Sequence, residues 1–190
     1  PTMESLVLDL LKESTALMDG HFLLSSGRHS DRYCQSALLL QHPEKAAKAF
    51  EAVAKEASKL AIDIVVGPAI GGIVPAYELA RQLGVAGIFT ERDNNVVSLR
   101  RGFHIQPGAR VLIAEDVITT GKSTLETANA ITDAGGVVVA VACLADRGES
   151  HLPFPTIAGT KLEIQSWAAD ECPLCKQGIL LVKPGSRKTT

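Results

Sequence analysis

The stretch VLIAEDVITTGKST, residues 111–124, decides the fold. Its first four residues are apolar and read as a buried strand, and from Ser123 the pattern turns helical. Between them stand two acids, Glu115 and Asp116, then Val117, Ile118, Thr119, Thr120, Gly121 and Lys122. The ending Gly121-Lys122-Ser123-Thr124 matches the tail of a nucleotide-triphosphate loop, but that loop needs a glycine where this chain has Asp116. Two carboxylates at that mouth would repel a triphosphate. They suit sugar hydroxyls, from which they accept hydrogen bonds. The loop still favours an anion, because a strand-to-helix junction offers free backbone N–H groups and the positive end of the helix dipole. A sugar carrying a phosphate at one end satisfies both halves of the stretch.

Working outward, strands and helices alternate. A short apolar strand over 62–66 runs into Gly67-Pro68, and a helix over 72–83 closes at Gly84. A strand over 86–89 follows. Beyond the opening stretch come a helix over 123–134, a Gly135-Gly136 turn and a strand over 137–144 that is apolar on both faces. Such strands separated by helices predict an α/β fold with a mainly parallel sheet covered on both sides. Upstream, residues 3–17 carry a helical period, 21–35 read as strand and turn, and Pro43 opens a helix striped by Ala46, Ala47, Phe50, Val53, Ala54, Ala57 and Leu60. Gly67-Pro68-Ala69-Ile70-Gly71-Gly72 forms a second candidate anion loop, where glycines let backbone approach a phosphate.

The 190 residues predict a single domain. A charge of −2 without basic clustering argues against nucleic acid as a partner. No apolar run nears the roughly 18 residues of a membrane span. The acid-containing amphipathic start lacks a signal peptide's order, so the expectation is a cytoplasmic protein. Of Cys34, Cys143, Cys172 and Cys175, only the last two are paired, as Cys-Pro-Leu-Cys. That pair is half a zinc site, and completing it would take Cys34 or Cys143 with a histidine. The plainer expectation is a local turn with reduced thiols, or an occasional disulfide. His21, His29, His42 and His151 show no metal-ligand spacing and are read as structural or surface residues. The polar tail 183–190 is expected to fray.

An apolar strand, two acids, two apolar residues and Thr-Thr-Gly resemble the phosphoribosyl-pyrophosphate (PRPP) motif of the type I phosphoribosyltransferases. The resemblance implies that Glu115 and Asp116 hold the ribose hydroxyls and that residues 119–123 cup the 5′-phosphate, with Val117 and Ile118 in the same motif. Ala69, Ile70 and Gly71 fall where the family binds pyrophosphate. The implied domain has a core over about 43–165 and a small hood made by about 1–40 with the C-terminal segment. Within the family, Phe22 to Ser30 (FLLSSGRHS) with Tyr33, and Asp146-Arg147, are similar to the orotate enzymes. This implies orotate contacts from Phe22, Thr119 and Arg147, the last because a guanidinium fork matches a carboxylate. Leu99-Arg100-Arg101-Gly102-Phe103 and Glu171-Cys172-Pro173-Leu174-Cys175 resemble one bacterial branch of those enzymes.

The implied reaction displaces pyrophosphate from C1 of PRPP by N1 of orotate, in UMP biosynthesis. Asp116 would act at the ribose, and Mg²⁺ would be held mainly by PRPP and water rather than by protein ligands. The family works as a homodimer whose hood loop acts in trans with a lysine. Here residues 90–104 contain no lysine, and Arg92, Arg100 and Arg101 are the cations available to departing pyrophosphate; a solvated hairpin explains them equally well. Asp93-Asn94-Asn95 suits its turn. Lys122 stands in the phosphate loop where a small residue is expected. Two other readings stay open: a purine enzyme of the same fold, and a PRPP-sensing regulator.

Overall fold

A computed structural model describes residues 1–184 of the chain; the expected frayed tail lies outside the described residues from 185 onward. Six strands form the main sheet: β3 (Ile64–Pro68), β4 (Ala86–Asp93), β5 (Val96–Leu99), β6 (Arg110–Ile118), β7 (Val137–Asp146) and β8 (Thr156–Lys161). Their order is β5-β4-β3-β6-β7-β8, and every pairing is parallel except β4 with β5. A smaller antiparallel sheet joins β1 (Leu17–Leu23), β2 (His29–Cys34) and β9 (Ser166–Trp167). The helices are α1 (Met3–Glu13), α2 (Ala37–Leu40), α3 (Pro43–Ala57), α4 (Ile73–Leu83), α5 (Lys122–Asp133) and α6 (Pro173–Lys176).

Strand alternation divides the core in two. Val65, Leu112, Ala114, Ala140, Ala142 and Leu144 pack with α1, α3 and α4 on one face. Ile64, Val66, Val111, Ile113, Val141 and Cys143 pack with Ala128 and Ile131 of α5 on the other. Both faces are thus dry, which is why these strands carry near-continuous apolar runs.

The crossover through α4 leads from β3 to β4 on one side, and the crossover through α5 leads from β6 to β7 on the other. Strands β3 and β6 are neighbours, so their outgoing loops diverge and leave a crevice at their carboxyl ends. Both candidate anion loops open into this crevice. The turn after β3 is tight. A Cβ on Gly67 would press into the Gly72 carbonyl, and one on Gly72 would lie 2.7 Å from the Pro68 oxygen. Backbone cannot yield cheaply, so Gly67→Ala is expected to cost about 1–3 kcal/mol, read as a lowered urea midpoint with unchanged slope.

Several sequence boundaries move. The first helix stops at Glu13, where Ser14 caps it and Thr15 turns to φ 60°; Leu17, counted into the helical period, begins β1 instead. Strand β3 runs on through Gly67-Pro68, β4 extends to Asp93, and β6 continues through the acid pair to Ile118. Strand β8 escaped sequence reading because Gly159 interrupts it. A Cβ there would meet the Leu144 oxygen at 2.6 Å, so the glycine marks close approach of two strands. The 93–95 turn is as expected: Asn94 and Asn95 both take positive φ, 49° and 63°, which closes a tight hairpin between β4 and β5. Among the described residues no helix is long and apolar enough to cross a membrane.

Candidate active site

Because β6 runs through the acid pair, its two carboxylates point to opposite faces. Glu115 is 5% exposed and turns toward α5, where its Oε2 accepts from the Ser123 hydroxyl at 3.0 Å and the Thr124 hydroxyl at 2.9 Å. Asp116 turns the other way, and its Oδ2 accepts from the Ser36 hydroxyl at 2.7 Å. The two acids expected at the ribose hydroxyls thus have different surroundings in the unliganded chain. Asp116 lines a cleft, whereas Glu115 ties the start of α5 to the strand. Ser36 was missed from sequence because nothing local marks it; β2 and α2 bring it across 80 positions.

Burial pushes the Glu115 carboxyl up to about 7, against the lowering pull of its two hydroxyl donors. The folded value lies above the ordinary 4.5, so the folded state binds more protons between these two pH values. Stability from this group is full below about 4.5 and is lost as pH rises through about 7, an effect on the order of 3 kcal/mol. Glu115→Gln keeps an oxygen acceptor and is expected to flatten that slope in denaturation curves between pH 5 and 8, roughly the titration window.

The phosphate loop begins with exposed Thr119 and Thr120, and Gly121 caps α5 with φ 82°. A Cβ at Gly121 would meet Leu152 at 2.9 Å, so the loop is packed beneath as well as turned. Lys122 is exposed, its backbone N–H 3.4 Å from the Thr120 hydroxyl. Val117 is half-buried and Ile118 fully buried in the core, so their side chains are not on the ligand wall. The Ile118 carbonyl instead accepts from the Arg147 N–H at 3.0 Å. Across the crevice Ala69, Ile70 and Gly71 are exposed, with a cis peptide between Ala69 and Ile70. Gly71 sits against Asp116, where a Cβ would fall 2.7 Å from the carboxylate. A cleft of about 430 Å³ joins Gln35, Ser36, Ile70, Gly71 and Asp116.

A second cleft, about 540 Å³, is lined by Leu23, Leu24, Arg28, Tyr33, Thr119, Thr120 and Arg147 among others. Its volume suits a small ligand. Phe22 is not on this wall. It is buried behind it, its ring 5.9 Å from that of Tyr33, because β-strand alternation sends Phe22 inward and Leu23 toward the cleft. The Arg147 side chain is 17% exposed, and its one ion-pair contact, to Glu149, is loose at 3.6 Å. Among the described residues its Nε is buried without a hydrogen-bond partner. Such a donor is costly to leave unpaired; the exposed part of the same side chain lines the cleft.

The three loop arginines are all engaged. Arg92 holds Glu126 through two contacts of 2.7 Å, Arg101 holds Glu91 at 2.7 and 2.8 Å while lying over the Phe89 ring, and Arg100 reaches Asp93 at 3.4 Å. One further group assembles away from the loops. His21 and His29 of the small sheet meet Cys172 and Cys175 at the start of α6; the two histidines are buried, and neither Cys34 nor Cys143 joins the Cys-Pro-Leu-Cys pair. Sequence spacing could not reveal it, because one partner lies 151 residues from another.

The phosphoribosyl transferase domain family model matches residues 36–174. The orotate phosphoribosyltransferase of Heliobacterium modesticaldum is 48% identical over 186 residues, covering 95% of this chain and 97% of that relative. Among solved structures, orotate phosphoribosyltransferase from Aeropyrum pernix superposes with a TM-score of 0.69 at 26% identity, over 83% of this chain and 94% of its own. Adenine phosphoribosyltransferase from Rhodothermus marinus does so at 0.64 and 26% identity, over 84% and 100%. The fold is thus shared by enzymes of both base classes.

Proposed function

The chain belongs to the phosphoribosyl transferase domain family, among its orotate phosphoribosyltransferases, and we propose that its site transfers the 5-phosphoribosyl group from PRPP to N1 of orotate, yielding orotidine 5′-monophosphate and pyrophosphate. The observation that carries the choice of base is the Arg147 guanidinium on the wall of the second cleft, held there by a loose 3.6 Å contact to Glu149. Orotate brings a carboxylate that can accept from that guanidinium, whereas adenine and other simple purines bring none. The 5′-phosphate rests on the 119–123 loop at the α5 N-terminus. Asp116, held by Ser36, accepts from the ribose hydroxyls. Glu115 keeps the phosphate loop in place through Ser123 and Thr124. Pyrophosphate lies over residues 69–71.

The residues fit Mg²⁺ carried by the substrate, since Asp116 is the one carboxylate on the cleft beside residues 69–71 and Mg²⁺ retains waters and phosphate oxygens as ligands. When bound, the ion neutralises charge on the departing pyrophosphate. The chain itself works by positioning and by fixed charges around a cationic sugar.

The hairpin arginines serve the leaving group, reaching the site of a partner subunit in a homodimer. Arg100, held by the longest pair, is the one most readily released. Arg100→Ala is expected to lower kcat by roughly 10- to 100-fold with the KM for orotate unchanged. Mixed dimers of Arg100→Ala and Asp116→Asn subunits are expected to recover activity beyond either variant alone; no recovery would remove the trans role. A cytoplasmic setting belongs to the same reading, since none of the four cysteines is disulfide-bonded among the described residues, as reducing compartments favour. With PRPP and Mg²⁺, pyrophosphate release is expected with orotate and not with adenine or hypoxanthine; release with a purine alone would favour the purine reading.

A further inference from the structure

Four side chains that the proposed chemistry does not use converge in the hood. His21 of β1, His29 of β2, Cys172 at the start of α6 and Cys175 within it each offer one ligand atom, and these atoms all lie within 4.8 Å of one another. We propose that they form a structural zinc site, with His21 Nε2, His29 Nδ1 and the two Sγ atoms as a closed tetrahedral set.

Hydrogen bonding alone does not account for the cluster. His21 Nδ1 lies 2.8 Å from the Ile179 carbonyl, which can only accept, so that nitrogen carries the proton. The Nε2 of a neutral ring then has a single lone pair. Three atoms crowd it: His29 Nδ1 at 3.1 Å, Cys172 Sγ at 3.3 Å and Cys175 Sγ at 3.7 Å. One lone pair cannot serve three neighbours, but one cation can serve all four ligands. Cys175 Sγ is also 3.3 Å from His29 Nδ1. Zinc bond lengths and a tetrahedral angle require about 3.3 Å between two nitrogens and about 3.5 Å between nitrogen and sulfur. The four separations given fall near these values, and the other two lie within 4.8 Å.

The surroundings are those of a metal site. The Ile179 carbonyl fixes the tautomer and the tilt of the His21 ring, as second partners of ligating histidines do. His21, His29 and Cys172 are buried, and exposed Cys175 leaves a path of entry. Two thiolates with two imidazoles in a tetrahedron select zinc, and binding would release both thiol protons to solvent. With four protein ligands no position stays open for substrate, so the ion is structural. It would join β1, β2 and the C-terminal segment. That segment already pairs with β1: Val182 N–H donates to the His21 carbonyl and Leu23 N–H to the Val182 carbonyl, both at 2.8 Å. Leu23 and Pro184 line the cleft that holds Arg147, so the ion would brace the wall over the base.

The test uses untagged protein purified under a thiol reductant without chelator. Metal analysis is expected to find about one zinc per chain. Chelation is expected to lower Tm, and added Zn²⁺ to restore it. Exchange with Co²⁺ is expected to give the visible bands of a tetrahedral thiolate site. Cys175→Ser, at the exposed ligand, is expected to lose stoichiometric metal and the thermal response to chelator while remaining folded; His29→Gln provides a second ligand deletion. The proposal is overturned if the reduced parent binds neither Zn²⁺ nor Co²⁺ stoichiometrically, or if both variants bind as well as the parent. None of these readouts involves orotate, so the outcome is separate from that of the catalytic reading.

Discussion

Arg147→Ala is expected to reduce kcat/KM for orotate by roughly 10²- to 10³-fold, the loss that follows removal of one partner from a desolvated charge pair. The guanidinium is mostly buried, its contact with Glu149 is long, and its Nε has no partner among the described residues. Its fork is therefore a cation that the cleft offers to a carboxylate. Arg147→Lys separates charge from shape. An ammonium keeps the attraction but cannot make the paired contacts of the fork, so an intermediate loss is expected. The KM for PRPP should change little in either variant, since the phosphate loop and Asp116 are held by other partners. Equal losses for both substrates would mean that Arg147 holds the site together rather than recognising the base.

Asp116→Asn is the second large effect. The carboxylate receives the Ser36 hydroxyl and lies against Gly71, leaving its remaining lone pairs to the cleft. Hydrogen bonds to a charged acceptor contribute about 1.5–3 kcal/mol each. Losing the charge while keeping the shape is expected to raise the KM for PRPP by roughly 10- to 100-fold and to lower kcat as well, because the sugar becomes cationic in the transition state. Ser36→Ala should follow in the same direction more weakly, acting through the orientation of Asp116. A variant that binds PRPP normally would show that the sugar hydroxyls are held elsewhere.

How legible the site was depends on the range of the signal. The opening stretch was readable because strand, acids, loop and helix are contiguous, and the α/β architecture follows from apolar runs such as 137–144. What sequence reading blurred was where β6 ends. Carrying the strand past Ala114 to Ile118 turns Glu115 and Asp116 to opposite faces, with Glu115 against α5. The resemblance pointed to Phe22 at the base, whereas in the unliganded chain strand alternation buries Phe22 and puts Leu23 on the cleft. Ser36 beside Asp116 was not legible at all, because it arises from contact between distant segments. His21 and His29 with the two cysteines share that cause: the hood sheet, including the two-residue β9, assembles only when the ends of the chain meet.

The central claim is transfer to orotate, and its most direct measurement is orotate consumption by ultraviolet absorbance with PRPP and Mg²⁺, for the parent beside Arg147→Ala and Asp116→Asn. The account predicts steady PRPP-dependent loss of orotate by the parent and near-complete loss of that activity in both variants. A folded parent that binds PRPP yet leaves orotate untouched would contradict it.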